Sequence, residues 1–174
     1  MATLRTVYSQ DQAAHPEAHA AVQDISDRLL EHLNTEPALD LMRLANLPTR
    51  SSADVQAAFL PFALDLGFTS EAKGLFLEYD NKLRPDYYRP VGDSGILLEV
   101  ERGKTTTNNM DLLDFWKCHL CRTAHYLFLM VPQALKHNDA MTPKKEYNAV
   151  VKRLETFFVE GNHTNVREVH IFGY

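Results

Sequence analysis

The segment Arg84-Pro85-Asp86-Tyr87-Tyr88-Arg89-Pro90-Val91-Gly92-Asp93-Ser94-Gly95-Ile96-Leu97-Leu98-Glu99-Val100-Glu101 reads as two extended runs on either side of a Gly-Asp pair. Glycine first in a two-residue loop predicts a type II′ hairpin. A loop symmetric about Gly92-Asp93 pairs residues whose numbers sum to 185, which sets Asp86 opposite Glu99 and Arg84 opposite Glu101, all on one face. Glu99 and Glu101 then lie about 7 Å apart at ~3.3 Å per residue, while Ile96, Leu98 and Val100 face the core. Three gathered carboxylates repel one another unless a cation sits among them. A hard divalent ion, Mg²⁺ or Mn²⁺, is the natural occupant, because it takes one or two carboxylates and completes its shell with water and phosphate oxygens. Such an ion holds a scissile phosphate and acidifies an attacking water, so the motif predicts phosphate-ester hydrolysis. Two things compete with this reading. A Glu-x-Glu run is ordinary alternation on a solvated sheet face, and a one-residue slip would send Asp86 to the opposite face.

Outward from the hairpin, Leu75–Tyr79 and Leu83–Val91 also carry the two-residue period, so three strands are expected in succession, the third being Gly95–Glu101. Asn108 or Asn109 offers a cap for a helix in which Leu112, Leu113, Trp116 and Leu120 form the inward stripe. Tyr126–Val131 is an uninterrupted apolar run, as in a strand buried on both faces. A helix from Pro143 to Val159 and a strand over Val166–Phe172 complete this half. Upstream, apolar residues recur at helical spacing from Pro16 to Asn34, from Pro37 to Leu47, and from Ser51 or Ser52 to Gly67, so the first third is expected to be helical.

The chain has 174 residues and 45% hydrophobic content, enough for one substantial core, and a single domain over 1–174 is expected. No run approaches the ~20 apolar residues of a bilayer helix. Met1–Gln10 has no leader-like apolar stretch, and two cysteines are too few for a disulfide scaffold, so a cytoplasmic protein without a membrane partner is expected. Net charge is −5, unlike a generic nucleic-acid binder, but it is unevenly spread. Residues 1–81 hold five Lys/Arg against twelve Asp/Glu, and residues 82–174 hold thirteen against eleven, so a polyanion would dock on the second half. Lys117-Cys118-His119-Leu120-Cys121 with His125 is not read as a zinc site, because it falls inside a helix and no second Cys/His pair follows. Cys118 and Cys121 are expected to pack in the core.

Pro85-Asp86 and Glu99-Val100-Glu101, followed by a helix and a buried strand, resemble the PD-(D/E)XK nuclease superfamily, which includes many type II restriction enzymes and repair nucleases. The resemblance runs from about Glu71 to Val131, more loosely to Tyr174, and says little about residues 1–50. It implies an α/β fold with a restriction-endonuclease-like three-layer core over residues 51–174, its mixed central sheet flanked by helices, and a helical extension over residues 1–50. It further implies a Mg²⁺-dependent DNA endonuclease working as a homodimer, with Asp86, Glu99 and Glu101 at the metal. Glu101 stands where the family usually has lysine, as in a subset of restriction enzymes, and Lys104 is the candidate for the missing ammonium. Glu71, with Glu78 as competitor, is the candidate for a further acidic ligand. Arg84, Arg102, Thr105, Asn108 and Asn109 are candidate nucleic-acid contacts, with simple helix capping and solvated charge as the plain alternative for the loop from Arg102 to Asn109. A non-catalytic scaffold on the same fold, or a hydrolase of small phosphate esters, are the alternatives.

Overall fold

A computed structural model of the chain describes residues 1–48, 50–70, 84–103, 105–135 and 142–174. The expected strand Leu75–Tyr79 lies outside them. The described strands are β1 (Leu4–Ser9), β2 (Thr69–Ser70), β3 (Tyr87–Val91), β4 (Ser94–Val100), β5 (Tyr126–Val131) and β6 (Glu168–Gly173). They form one mixed sheet in the order β1-β6-β5-β4-β3-β2. Strands β4, β5 and β6 run parallel, and the other pairings are antiparallel. Parallel neighbours need long crossovers, and here helices α4 (Met110–Leu120) and α5 (Glu146–Glu155) supply them.

The hairpin register is the expected one. Tyr87 pairs with Leu98 and Val91 with Ser94, each pair summing to 185. Gly92 has φ 57° whereas Asp93 does not enter the positive-φ region, the signature of a type II′ turn. Gly95 is held by a close approach: a Cβ there would lie 2.4 Å from the Tyr88 ring. Tyr87 is a core residue, edge-on to Phe59 at a centroid distance of 5.7 Å.

Helices α1 (Pro16–Leu33), α2 (Glu36–Ala45) and α3 (Ser52–Asp65) start near the expected points. Ser51 caps α3, its main-chain N–H donating to Asp54 Oδ2 at 2.6 Å. Val22, Ile25, Leu29, Met42, Val55 and Phe59 pack against Ile96, Leu98, Val100, Phe128 and Phe172, forming the core on one face of the sheet. Phe115, Cys118, Cys121, Val150 and Leu154 from the α4–α5 side pack against Leu97, Leu127, Leu129 and Ile171 on the other. β4 and β5 are therefore buried on both faces, which is why β5 reads as a continuous apolar run.

Three expectations need correction. The first third is not wholly helical, because β1 forms the sheet edge, Leu4 pairing with Gly173 and Ser9 with Glu168. Residues 1–50 are also more than a helical extension, since β1 joins the sheet and α1 and α2 contribute to its core. The third concerns α4. Its buried face is Asp111, Asp114, Phe115 and Cys118, while Leu113, Trp116 and Leu120 are about half exposed at 51%, 50% and 48%. A helix that turns carboxylates inward and leucines outward needs cations to meet those carboxylates. Arg153 of α5 meets Asp111 at 3.2 Å, and the partner of Asp114 belongs to the site. None of the described helices is long and apolar enough to cross a membrane.

Candidate active site

Glu99 and Glu101 sit at the carboxyl end of the parallel strands, where open α/β sheets bind ligands. Asp86 lies one residue before β3 begins, and its main chain meets a side chain across the hairpin. The Asp86 N–H donates to Glu99 Oε2 at 3.2 Å, and the Val100 N–H donates to Asp86 Oδ2 at 2.8 Å. Each carboxylate thus accepts a main-chain N–H from across the hairpin, Glu99 from Asp86 and Asp86 from Val100. Glu99 is only 2% exposed, which excludes the solvated-face reading of the Glu-x-Glu run.

The cation among them comes from an unexpected element. Lys117 Nζ lies 3.1 Å from Glu99 Oε1 and 2.9 Å from Asp114 Oδ1, so α4 delivers both an ammonium and a fourth carboxylate. Asp86, Glu99, Glu101 and Lys117 line one cleft of ≈ 450 Å³, rimmed by Ser52 and Gln56 of α3 and by Asn108 and Met110. Asp111, Asp114 and Lys117 are spaced three residues apart on the helix after the Glu-x-Glu strand, and that spacing was the available signal for the face that turns inward.

Four carboxylates face one ammonium, and their proton affinities reflect the shortage of positive charge. Burial, then the charges of Asp114 and Asp86, push Glu101 up to about 8. Burial raises Asp114 to about 6 even with Lys117 beside it. Burial and Asp114 hold Glu99 well above the usual carboxylate range against the pull of Lys117. Burial alone would lower the Lys117 ammonium, but Glu99 and Asp114 outweigh it and the group is raised, so Lys117 stays a cation at neutral pH.

No family model, curated protein or solved structure matches this chain.

An all-oxygen donor set suits a hard divalent ion, and the surplus of buried carboxylate would be relieved by one. Among the described residues no three acidic, histidine or cysteine side chains already stand as a cage. Mg²⁺ does not require one, because it binds through one or two carboxylates and keeps several waters. Asp86 and Glu99 are the two carboxylates that would hold it. Glu71, Glu78 and Lys104 lie outside the described residues.

The candidate phosphate contacts fare unevenly. Asn108 is exposed and lines the cleft, and Arg84 is exposed ahead of β3. Thr105 is fully buried. Arg102 is also buried, its guanidinium donating to the carbonyl of Leu47 and, at 3.5 Å, to that of Asn46, which ties β4 to the end of α2. Asn109 precedes α4 in the left-handed region at φ 57° and makes no side-chain cap; its Oδ1 accepts from Arg153 at 2.6 Å. Thr106 is held too, its hydroxyl donating to Glu146 Oε2 at 2.7 Å. Thr106 and Asn109 are thus tied to α5.

One consequence is a stability that depends on the cluster's protons. Glu101 is raised from 4.5 to about 8, so the folded chain keeps a proton there that the unfolded chain has released. Its stabilising contribution is complete below about pH 4.5 and disappears as pH rises through about 8. In chelator-treated protein, Glu101→Gln is expected to flatten this decline and to be more stable than the parent by about 2 kcal/mol at pH 9. Urea unfolding at pH 6 and pH 9 measures it; parallel pH profiles for the two proteins would refute the assignment.

Proposed function

We infer that this chain hydrolyses phosphodiester bonds in nucleic acid, DNA first, as a metal-dependent endonuclease of the PD-(D/E)XK type in which the lysine comes from α4. The observation that carries this is the position of Lys117: its ammonium is 3.1 Å from Glu99, whose other oxygen accepts the Asp86 N–H. An aspartate, a glutamate and a lysine then line one cleft, although the lysine is missing from the strand. The element order α3, β2, β3, β4, α4, β5 also agrees with the resemblance seen in the sequence.

A divalent ion bound by Asp86 and Glu99 would orient the phosphate, acidify an attacking water and stabilise the leaving oxygen. The chain's own groups divide the remaining work. Asp86 is aimed by the Val100 N–H, and Glu99 by Lys117 and the Asp86 N–H, so both enter the cleft with fixed orientation. Lys117, kept protonated by Glu99 and Asp114, is a fixed positive charge for the oxyanion that grows on the attacked phosphate. It serves as an electrostatic group and not as a base. Glu101 holds a proton at neutral pH and gives it up when positive charge enters the cluster.

The test is cleavage of supercoiled, linear and branched DNA with and without Mn²⁺, comparing the parent with Asp86→Asn and Glu99→Gln. Metal-dependent cutting is expected in the parent, with at least about a hundredfold loss in each variant. Equal cutting by all three would mark a contaminant and refute the reading. A binding or scaffold role has its own support, since Lys117 already neutralises Glu99. It predicts no cutting and no response to metal.

A further inference from the structure

A second, smaller cleft of ≈ 240 Å³ adjoins the acidic one, and the two share Asp86 and Gln56. Its chemistry is the reverse of its neighbour's. Helix α3 gives it Ala53, Ala57 and Leu60, spaced along one helical face, and β3 gives it Tyr87. Apart from the shared Asp86, no charged side chain among the described residues lines it. The hollow exists because two positions on an exposed helix face carry alanine where a longer side chain would fill the space. Its wall is fixed: the Tyr87 hydroxyl donates to the Gln56 carbonyl at 3.1 Å, and the Tyr87 ring is braced by Phe59.

We propose that this cleft holds the base of the nucleotide next to the scissile phosphate, unstacked from its neighbours, with the Gln56 amide at the base's polar edge. This rests on the phosphodiester-hydrolase reading and names its substrate class. A nucleotide is anionic at one end and flat, neutral and apolar-faced at the other. The paired clefts match that division, with the metal-binding carboxylates on one side of Asp86 and an uncharged hollow on the other. The space, ≈ 240 Å³, is room enough for a single base. A base in an intact duplex would have to be extruded to enter, at a cost of a few kcal/mol that single-stranded, looped or mismatched nucleotides largely avoid. Gln56 carries one acceptor and two donors, the complement of a base edge. The enzyme therefore acts on unpaired strands or junctions in preference to continuous duplex.

The test fills the hollow without touching the acidic cluster. Ala57→Met adds bulk at an exposed position, so the fold is retained, and circular dichroism confirms it. Parent and variant are assayed with Mn²⁺ on a single-stranded oligonucleotide, the same sequence as duplex, and a matched strand whose residues lack bases. The parent is expected to cut the single strand about tenfold or more faster than duplex, and Ala57→Met to lose about tenfold on the single strand while matching the parent on the baseless strand. Equal rates for the two proteins on both strands, or a parent that prefers duplex, would overturn the base site while leaving the hydrolase reading intact. A parent that cuts none of the three would remove the hydrolase reading, and the base site with it.

Discussion

Lys117→Met is expected to lower metal-dependent phosphodiester cleavage by about 10²–10³-fold, measured as initial rates on a DNA substrate at saturating Mn²⁺. Methionine keeps the length and the packing of the lysine stem but removes the charge from between Glu99 and Asp114. Two effects follow from one deletion. The growing oxyanion loses its fixed cation, and the buried carboxylates lose their only neighbouring ammonium among the described residues. The second effect would raise Glu99 and Asp114 further, so the variant should recover more stability from added Mn²⁺ than the parent does. Lys117→Arg tests position as well as charge: a planar guanidinium cannot occupy the same point between two carboxylates, and partial activity is expected. Parent-like rates in Lys117→Met would reduce Lys117 to a structural ion pair.

Away from the cleft, Glu168→Gln is expected to cost about 3 kcal/mol at pH 7, because it breaks a buried polar chain. Arg5 can only donate, and its guanidinium donates to Ser26 Oγ at 2.8 Å. The Ser26 hydroxyl then donates to His170 Nδ1 at 2.7 Å, which leaves Nε2–H to donate to Glu168 Oε2 at 3.0 Å. His19 Nδ1 approaches Glu168 Oε1 at 2.6 Å. This chain joins β1, α1 and β6, so it fixes the first helix on the sheet. Burial would raise the Glu168 carboxyl, but hydrogen bonds from His170 and His19 outweigh it and hold it low. Burial likewise lowers His170 despite Glu168, which agrees with the neutral tautomer the bonds require. The stabilising share of Glu168 is therefore present above the ordinary value of 4.5 and is lost as pH falls through its depressed value, while protonating His170 opposes folding below about pH 6.5. Urea unfolding carried from pH 7 to below pH 4.5 should show the gap between parent and Glu168→Gln closing only below about pH 4.5, as Glu168 takes up its proton. With the Glu101 cluster failing on the alkaline side, stability should peak between the two regimes.

The hairpin was legible because its information is local. Gly92 first in the loop fixes the turn, the turn fixes a sum of 185, and the sum fixes Asp86 against Glu99. β5 was legible for a similar reason, since burial on both faces leaves no position for a polar residue. The elements that escaped depend on distant partners. β1 carries Thr6, Val7 and Tyr8, a modest strand signal, and becomes an edge only through pairing with β6 at the far end of the chain. α4 misled because the rule that apolar residues face inward yields where buried charges compensate one another. Asp114 and Lys117 are stable inside because Glu99 approaches from the sheet, and no reading of the helix alone supplies that partner. Lys104 is the lysine nearest in sequence and lies outside the described residues, whereas Lys117 is brought to the cleft by the crossover from β4 to β5.

Thermal unfolding against Mn²⁺ concentration, for the parent and for Asp86→Asn/Glu99→Gln, measures whether the cleft binds a divalent ion without relying on turnover. The melting temperature of the parent should climb with Mn²⁺, reaching about 2.7 kcal/mol of added stability at a hundred times the dissociation constant, while the double variant stays flat. A parent indifferent to Mn²⁺, or a double variant that gains as much, would show that the carboxylates around Lys117 serve the fold alone.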